Sequence, residues 1–351
     1  MILLDFVGLL RIVGSHLHLH LITTIEQFEE LQPDWNTLLL HNATNEIFLT
    51  WEWQSTWWQV YHPGTLWVIT AHDDSGQLVG IAPWFLEQPE RVIRTIGCVE
   101  VTDYLDIIAL PEAHEVFCTE LAAFLIEHTA DYSRLDLCNI PADSPTLDHL
   151  PRSLSARGFA VQVKPEDVCP FIPLPADFEA YLDSLDKKQR HELRRKLRRA
   201  ESDEGEKVAW YIVGPEHDLA AHAQKFLELM AASSPAKAQF LQDKGNQAFF
   251  PAIIERLTVC GWLQLSFLTV NGEAAAAYLN FDFNNRILVY NSGQVTQTYA
   301  HLSPGIVLLC YNIQNAIMHH REIFDFLQGN EDYKYRMGAQ DRAVLMLEAT
   351  R

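Results

Sequence analysis

No stretch of the chain reaches the roughly 20 consecutive apolar residues that a membrane-spanning helix requires, so a channel or a transporter is excluded. Basic residues are scarce, 26 Lys and Arg against 46 Asp and Glu, for a formal charge of −20. Nucleic acid is held by neutralising its phosphates, so a surface this acidic argues against generic nucleic-acid binding and against DNA as a partner. The six cysteines, Cys98, Cys118, Cys138, Cys169, Cys260 and Cys310, have no close pairing and sit mostly in apolar segments as small core residues. That usage suits a reducing cytoplasm. Ser, His and Cys occur without a nucleophile elbow. His16, His18 and His20 would share one strand face, but with no acidic or Cys partner nearby a polar face explains them better than a metal site.

With 351 residues, 48% hydrophobic and 21% charged, the chain has the composition of a folded protein of two domains. Residues 1–14 are apolar but carry Asp5 and Arg11, and they lack both a basic start and a small-residue cleavage site. They read as an extension rather than a signal peptide, with a peripheral amphipathic anchor as the alternative.

Along the chain, 17–23 reads as a strand and Thr24 as the cap of a helix over 25–41. The aromatic run Phe48 to Trp58 falls on a helix, where such residues are usually core and otherwise wall a pocket. A hairpin over 66–86 turns at Asp73 to Gly76. Strands over 91–98 and 104–110, a helix from Pro111 to His128, a strand over 134–140, a helix over 144–157 and a strand over 159–163 complete the first half. Residues 164–175 hold four prolines and read as a connector between domains. A basic helix over 187–200 follows, then a strand over 208–213 and a helix over 216–232. The polar stretch 233–247 is a candidate lid, before a helix over 248–260. Strands over 263–270, 273–283 and 286–292, a helix over 304–320 and a strand over 322–327 repeat the order of the first half, as a duplicated domain would.

Thr50-Trp51-Glu52-Trp53, Gly80-Ile81-Ala82-Pro83 and Asp103-Tyr104-Leu105-Asp106 in the first half, with Lys188 to Arg199, Ser303-Pro304-Gly305 and Asp325 to Lys334 in the second, resemble in order the cellulose-biosynthesis-type (CelD/BcsL-like) branch of the GNAT acyltransferases, related to the Fem-type aminoacyl ligases. The resemblance implies an α/β fold of two tandem GNAT-like domains, each a mixed central sheet flanked by helices, over 20–168 and 169–351 after an extension over 1–19. It also allows the last strand to return to the first domain, as in Fem-type proteins. The implied reaction moves an acetyl or other acyl group from acetyl-CoA or another acyl-CoA to an amine or hydroxyl of a small or saccharide-linked acceptor.

Physical chemistry marks the place for the donor independently. A helix N-terminus binds anions through unpaired N–H groups, most closely where a Gly removes the side chain. Ser303 is an expected N-cap and Pro304 the first helical residue, and Gly305 and Ile306 present open N–H groups. The matching helix of the first half has no Gly and carries Glu112, so only the second domain is expected to bind the cofactor. Arg190 and Arg194 of the basic helix are candidate phosphate ligands; a solvated face is the alternative.

Asp325 points away from Phe324 and Phe326 on a buried strand, either paired with an Arg or acting as a base. By analogy with Fem-type ligases, Lys334 would hold a phosphate or polarise the acyl carbonyl, or else be a solvated lysine. Tyr333 would protonate the leaving thiolate or simply pack. Trp51, Glu52, Trp53, Asp103 and Tyr104 are the candidate acceptor pocket. Two other readings stay open: a tRNA-dependent aminoacyl transferase, and a degenerate GNAT pair that binds or regulates in exopolysaccharide synthesis. No residue sets an oligomeric state.

Overall fold

The computed structural model describes residues 16–98, 101–202 and 205–351; the reading of 1–14 as an extension or anchor lies outside them. β1 (His18–Ile22) leads to Thr24, whose hydroxyl accepts from the Gln27 N–H and caps α1 (Ile25–Glu29). The chain restarts as α2 (Gln32–His41) with Pro33 in its first turn, so the single helix expected over 25–41 is two. α3 (Trp51–Tyr61) carries Trp51, Trp53, Trp57 and Trp58 of the aromatic run, while Phe48 precedes it in a separate 3-10 turn (Ile47–Leu49). β2 (Gly64–Leu66), β3 (Val68–His72), β4 (Leu78–Ala82), β5 (Trp84–Glu87) and β6 (Val92–Thr95) follow as short antiparallel pieces, and only β7 (Ile108–Ala109) forms where a strand over 104–110 was expected. Next come α4 (His114–Glu127), which starts three residues past Pro111, β8 (Arg134–Pro141), α5 (Thr146–Ala156) and β9 (Ala160–Pro173).

β9 runs straight through the proposed connector. Its prolines give up only their N–H groups; the Pro170 carbonyl still accepts from Phe326 N–H at 2.8 Å.

The chain continues through α6 (Phe178–Ser184), α7 (Lys187–Ala200), β10 (Val208–Ile212), α8 (Leu219–Ser233), α9 (Pro235–Phe240), α10 (Lys244–Val259), β11 (Leu263–Val270), β12 (Glu273–Phe283), β13 (Arg286–Gln294), α11 (Pro304–Met318), β14 (Ile323–Asp325), α12 (Asp332–Arg336) and β15 (Gln340–Thr350). The polar stretch 233–247 is therefore partly helical, with Ser234 accepting from Lys237 N–H to cap α9. No helix among the described residues is long and apolar enough to cross a membrane.

Contacts divide the chain into two units. One comprises the described residues up to Gln54, His62–Glu166 and Val344–Arg351; the other, Ser55–Tyr61 and Asp167–Ala343. In the first unit β1, β3, β4 and β7 form an antiparallel sheet, while β2, β5, β6, β8 and the end of β15 form a second set in which only β6 and β8 run parallel. Its core gathers Trp67, Trp84, Phe117, Leu121 and Leu135, each buried side chain of this kind being worth about 2 kcal/mol.

In the second unit the order is β10-β11-β12-β13-β14-β9, antiparallel except for β13 and β14. α11 buries Val307, Leu308, Ile313 and Ala316 against Leu268, Tyr278, Ile287 and Phe324. α8 packs on the opposite face, so tightly that a Cβ at Gly293 would lie 2.3 Å from the Met230 nitrogen. β13 also carries one extra residue: Val289 opposes Asn280 and Asn291 opposes Leu279, leaving Tyr290 as a bulge.

One expectation about cysteine fails. Cys98 and Cys138 form a disulfide with their Cα atoms 6.1 Å apart, because folding closes a gap of 40 residues that makes the pair invisible in sequence. In β1 the absent acidic neighbour also exists: His18 Nε2 is 3.4 Å from Asp74, and the His20 ring stands 5.3 Å from that of His72. Among the described residues no group of three or more His, Cys, Asp or Glu is arranged to hold a metal.

Candidate active site

The second unit contains a cavity of about 420 Å³ at the start of α11, walled by Tyr278, Ser292, Gln294, Ser303, Gly305 and Tyr333 among others. Its origin is a defect in the sheet. β13 and β14 pair in parallel only from Arg286 and Ile323 to Leu288 and Asp325, after which β13 runs on to Gln294 without β14. The bulge at Tyr290 then sets the register that places Ser292 beside Tyr278 and Gln294 beside Ala276.

The helix start leaves main-chain N–H groups open, an arrangement that can accept an anion. Pro304 has no N–H, Val307 N–H is bonded to Ser303 O, and the N–H groups of Gly305 and Ile306 have no intrahelical acceptor. A Cβ at residue 305 would come 2.5 Å from Gln294 Oε1, so Gly keeps this wall open. Ser303 holds the N-cap position, but not as a capping hydroxyl. Its backbone is left-handed, at φ 53° and ψ 53°, and its Oγ accepts instead from Lys196 Nζ at 2.5 Å. Arg199 donates to His301 O at 2.8 Å, just before this turn.

Thus the cations that reach the helix start are Lys196 and Arg199, not Arg190 and Arg194. Arg190 pairs with Asp183 at 3.2 Å, and Arg194 with Glu179 at 2.6 Å, on the side of α7 that meets α6. With Leu193, Leu197 and Ala200 buried, α7 has two basic flanks.

Two phenols complete the pocket. Tyr278 is 5% exposed, and its hydroxyl has no partner among the described hydrogen bonds. Burial raises its pKa well above the ordinary phenol value, and the neighbouring Tyr333 and Cys310 add to the rise. Burial, then Glu331, raises that of Tyr333 in the same way, so both are protonated at neutral pH.

Asp325 and Lys334 lie behind this wall. Asp325 accepts from Leu327 N–H at 2.8 Å and fixes a turn in which Leu327 has φ 57°. Lys334, 2% exposed, donates to the carbonyls of Leu327, Gln328 and Gly329 at 3.2, 2.7 and 2.9 Å and pairs with Glu331 at 2.9 Å. Neither lines the cavity; together they shape the loop that presents Tyr333. Lys334 is no solvated lysine, and its ammonium is committed to main-chain carbonyls. The residues expected to form an acceptor pocket belong to the first unit. Trp51 packs on Phe28 and Trp35, Trp53 and Tyr104 on Phe48, and Glu52 accepts from Asn36 at 2.8 Å. Trp53 Nε1 donates to Thr102, and Asp103 is half-buried nearby in sequence; none of the five walls the cavity.

Lys237 escaped notice in the sequence because it sits in a stretch with no strong pattern. It lies on α9, half-buried, with Nζ 2.9 Å from Asn291 Oδ1 and 2.6 Å from Ser292 O. Burial lowers its pKa to about 8, against the opposing pull of Glu331.

The second unit thus brings together a strand-edge cavity, an open helix start and two phenols. Residues 187–335, all within the second unit, match the acetyltransferase (GNAT) domain family. No curated protein matches the chain in sequence. Among solved structures, FemX aligns over 90% of this chain and 95% of its own at 10% identity and a TM-score of 0.62. A conserved protein of unknown function from Bacteroides thetaiotaomicron aligns over 91% and 97% at 11% identity and 0.60. L-PGS from Bacillus licheniformis aligns over 91% and 91% at 9% identity and 0.55. At such identities the likeness is one of fold alone, a mixed α/β chain with sheets flanked by helices.

Proposed function

We propose that the second unit transfers an acyl group, most simply acetyl, from acyl-CoA to an amine or hydroxyl of a small or saccharide-linked acceptor in the cytoplasm. The observation that carries this reading is the cavity where β13 leaves β14, directly before the open N-terminus of α11. Acyl-CoA supplies a thioester whose acyl carbon exchanges its C–S bond for a C–N or C–O bond.

The Gly305 and Ile306 N–H groups, with Lys196 beside them, hold negative charge at the cavity rim. Tyr278 and Tyr333, kept protonated by burial, donate hydrogen bonds into the cavity where charge develops on oxygen or sulfur. Lys334 and Asp325 act through the loop that carries Tyr333, as positioning residues. The first unit packs its aromatic cluster as core and is read as holding no cofactor.

The CelD/BcsL-like branch remains part of this reading, with exopolysaccharide as an acceptor class. A second reading, aminoacyl transfer from charged tRNA, draws on the run of basic residues along α7. Thermal-shift titration with acetyl-CoA, free CoA and ATP, on wild type and Gly305→Glu, tests the first. A ligand at a hundredfold its Kd should stabilise the protein by about 2.7 kcal/mol. Stabilisation by CoA compounds that is lost in Gly305→Glu supports it; no shift with either CoA compound overturns it. Tight binding of charged tRNA, steeply weakened by salt, would favour the second.

A further inference from the structure

The part of β13 that leaves β14 is not bare. Val295 N–H donates to Ala275 O at 2.9 Å, and Ser292 and Gln294 stand opposite Tyr278 and Ala276. The two-residue alternation of an antiparallel ladder therefore turns the main-chain groups of Ser292 and Gln294 away from β12, to the open side. Side chains from the end of α8 and from α9 occupy both. Lys237 Nζ donates to Ser292 O at 2.6 Å, and Ser233 Oγ accepts from Gln294 N–H at 3.0 Å. An outward carbonyl followed two residues later by an outward N–H is the pair of groups that an extended, amide-bearing chain uses when it adds to a strand edge.

The plug is unusual in its chemistry. A neutral side chain could satisfy a main-chain carbonyl at little cost, whereas a half-buried ammonium gives up hydration to do so. Among the described hydrogen bonds the Lys237 ammonium has only Ser292 O and Asn291 Oδ1 as acceptors, and both are uncharged. Its stem belongs to a six-residue helix whose cap is the neighbouring Ser234. This is a contact that holds α9 against β13 and can be exchanged for water without unmaking a core.

We propose that Lys237, with Ser233, gates the donor edge: α9 is latched onto β13 in the unliganded protein, and the latch opens when an extended donor chain pairs with Ser292 and Gln294. The proposal rests on the acyl-donor reading above and concerns the regulation of that same cavity. Its consequence runs opposite to that of an ordinary contact residue. For a donor that needs the latch open, the apparent affinity is the intrinsic affinity multiplied by the fraction of molecules that are open, so removing the ammonium strengthens binding.

The test is calorimetric titration of CoA into the full chain, wild type against Lys237→Met, which keeps the stem and deletes the charge. The gate predicts a Kd lowered about tenfold, the scale of one charge-assisted hydrogen bond no longer displaced. Wild type that binds while Lys237→Met binds equally or more weakly overturns the gate alone. Failure of both folded proteins to bind overturns the donor reading and the gate with it. Should the variant not fold, amide hydrogen exchange on wild type decides. Faster exchange in 235–240 upon CoA addition, with protection elsewhere in the second unit, supports the gate; unchanged or slower exchange there refutes it.

Discussion

In each unit a strand hairpin feeds a parallel neighbour through a helix, and the two units differ in what fills the gap beyond. In the second, β13 and β14 pair for three residues and then part around a cavity. In the first, β6 and β8 pair in parallel at Val92 with Arg134 and Ile93 with Leu135, and the gap beyond is closed by the chain itself. Leu105 N–H donates to Asn139 O at 2.9 Å, and Asn139 Nδ2 returns a bond to Thr102 O at 2.8 Å. Asp106 anchors that segment, accepting from Thr44 Oγ1 at 2.7 Å, from Ile107 N–H, and from the hydroxyls of Ser144 and Thr146. Burial pushes the Asp106 pKa up and the three hydroxyls pull it back; its four bonds to this segment, Thr44, Ser144 and Thr146 make it a structural pin. One supersecondary step thus yields a packed wedge or an open cavity, depending on the connection around the parallel strands.

The contrast can be broken from either side. Asp106→Ala in the first unit strands three buried hydroxyls and an N–H, and should cost on the order of 3 kcal/mol in urea denaturation while leaving donor affinity unchanged. Lys334→Met should cost a comparable amount, about 3 kcal/mol, because three loop carbonyls lose their donor, and it should also weaken the contribution of Tyr333. Equal effects of both variants on donor binding would erase the functional difference between the units. Gly305→Glu should weaken CoA binding by about a hundredfold, roughly 2.7 kcal/mol, with little change in the urea midpoint, since the neighbouring Gln294 amide can move aside. Lys196→Ala should weaken it by about tenfold, read by titration calorimetry. Smallest is Arg194→Ala, where an exposed pair with Glu179 predicts under about 0.5 kcal/mol in stability and no change in binding.

Much of the second unit was legible because local rules govern it. Ser-Pro-Gly suits a helix start, with Pro at its first position, and Ser303, Gly305 and Ile306 do line the cavity, as does Tyr333. What could not be read depends on long-range packing. The apolar stripe of α7 fixes which face is buried, but two basic flanks border it, and only the fold decides that Lys196 meets Ser303 while Arg190 and Arg194 meet α6. The Trp51 to Trp53 cluster has the composition of either a core or a pocket, and its packing on Phe28, Trp35 and Phe48 depends on residues distant in sequence or outside the motif. Proline density in β9 suggested a linker because the missing N–H groups count against a strand, yet the carbonyls still pair. Lys237 carries no local signal at all; its role follows from where β13 loses its neighbour.

The most direct test of a single open wedge is the stoichiometry of CoA binding by titration calorimetry on wild type and Gly305→Glu. One equivalent per chain, lost in the variant, is the predicted result. Two equivalents, or one that survives Gly305→Glu unchanged, would contradict it.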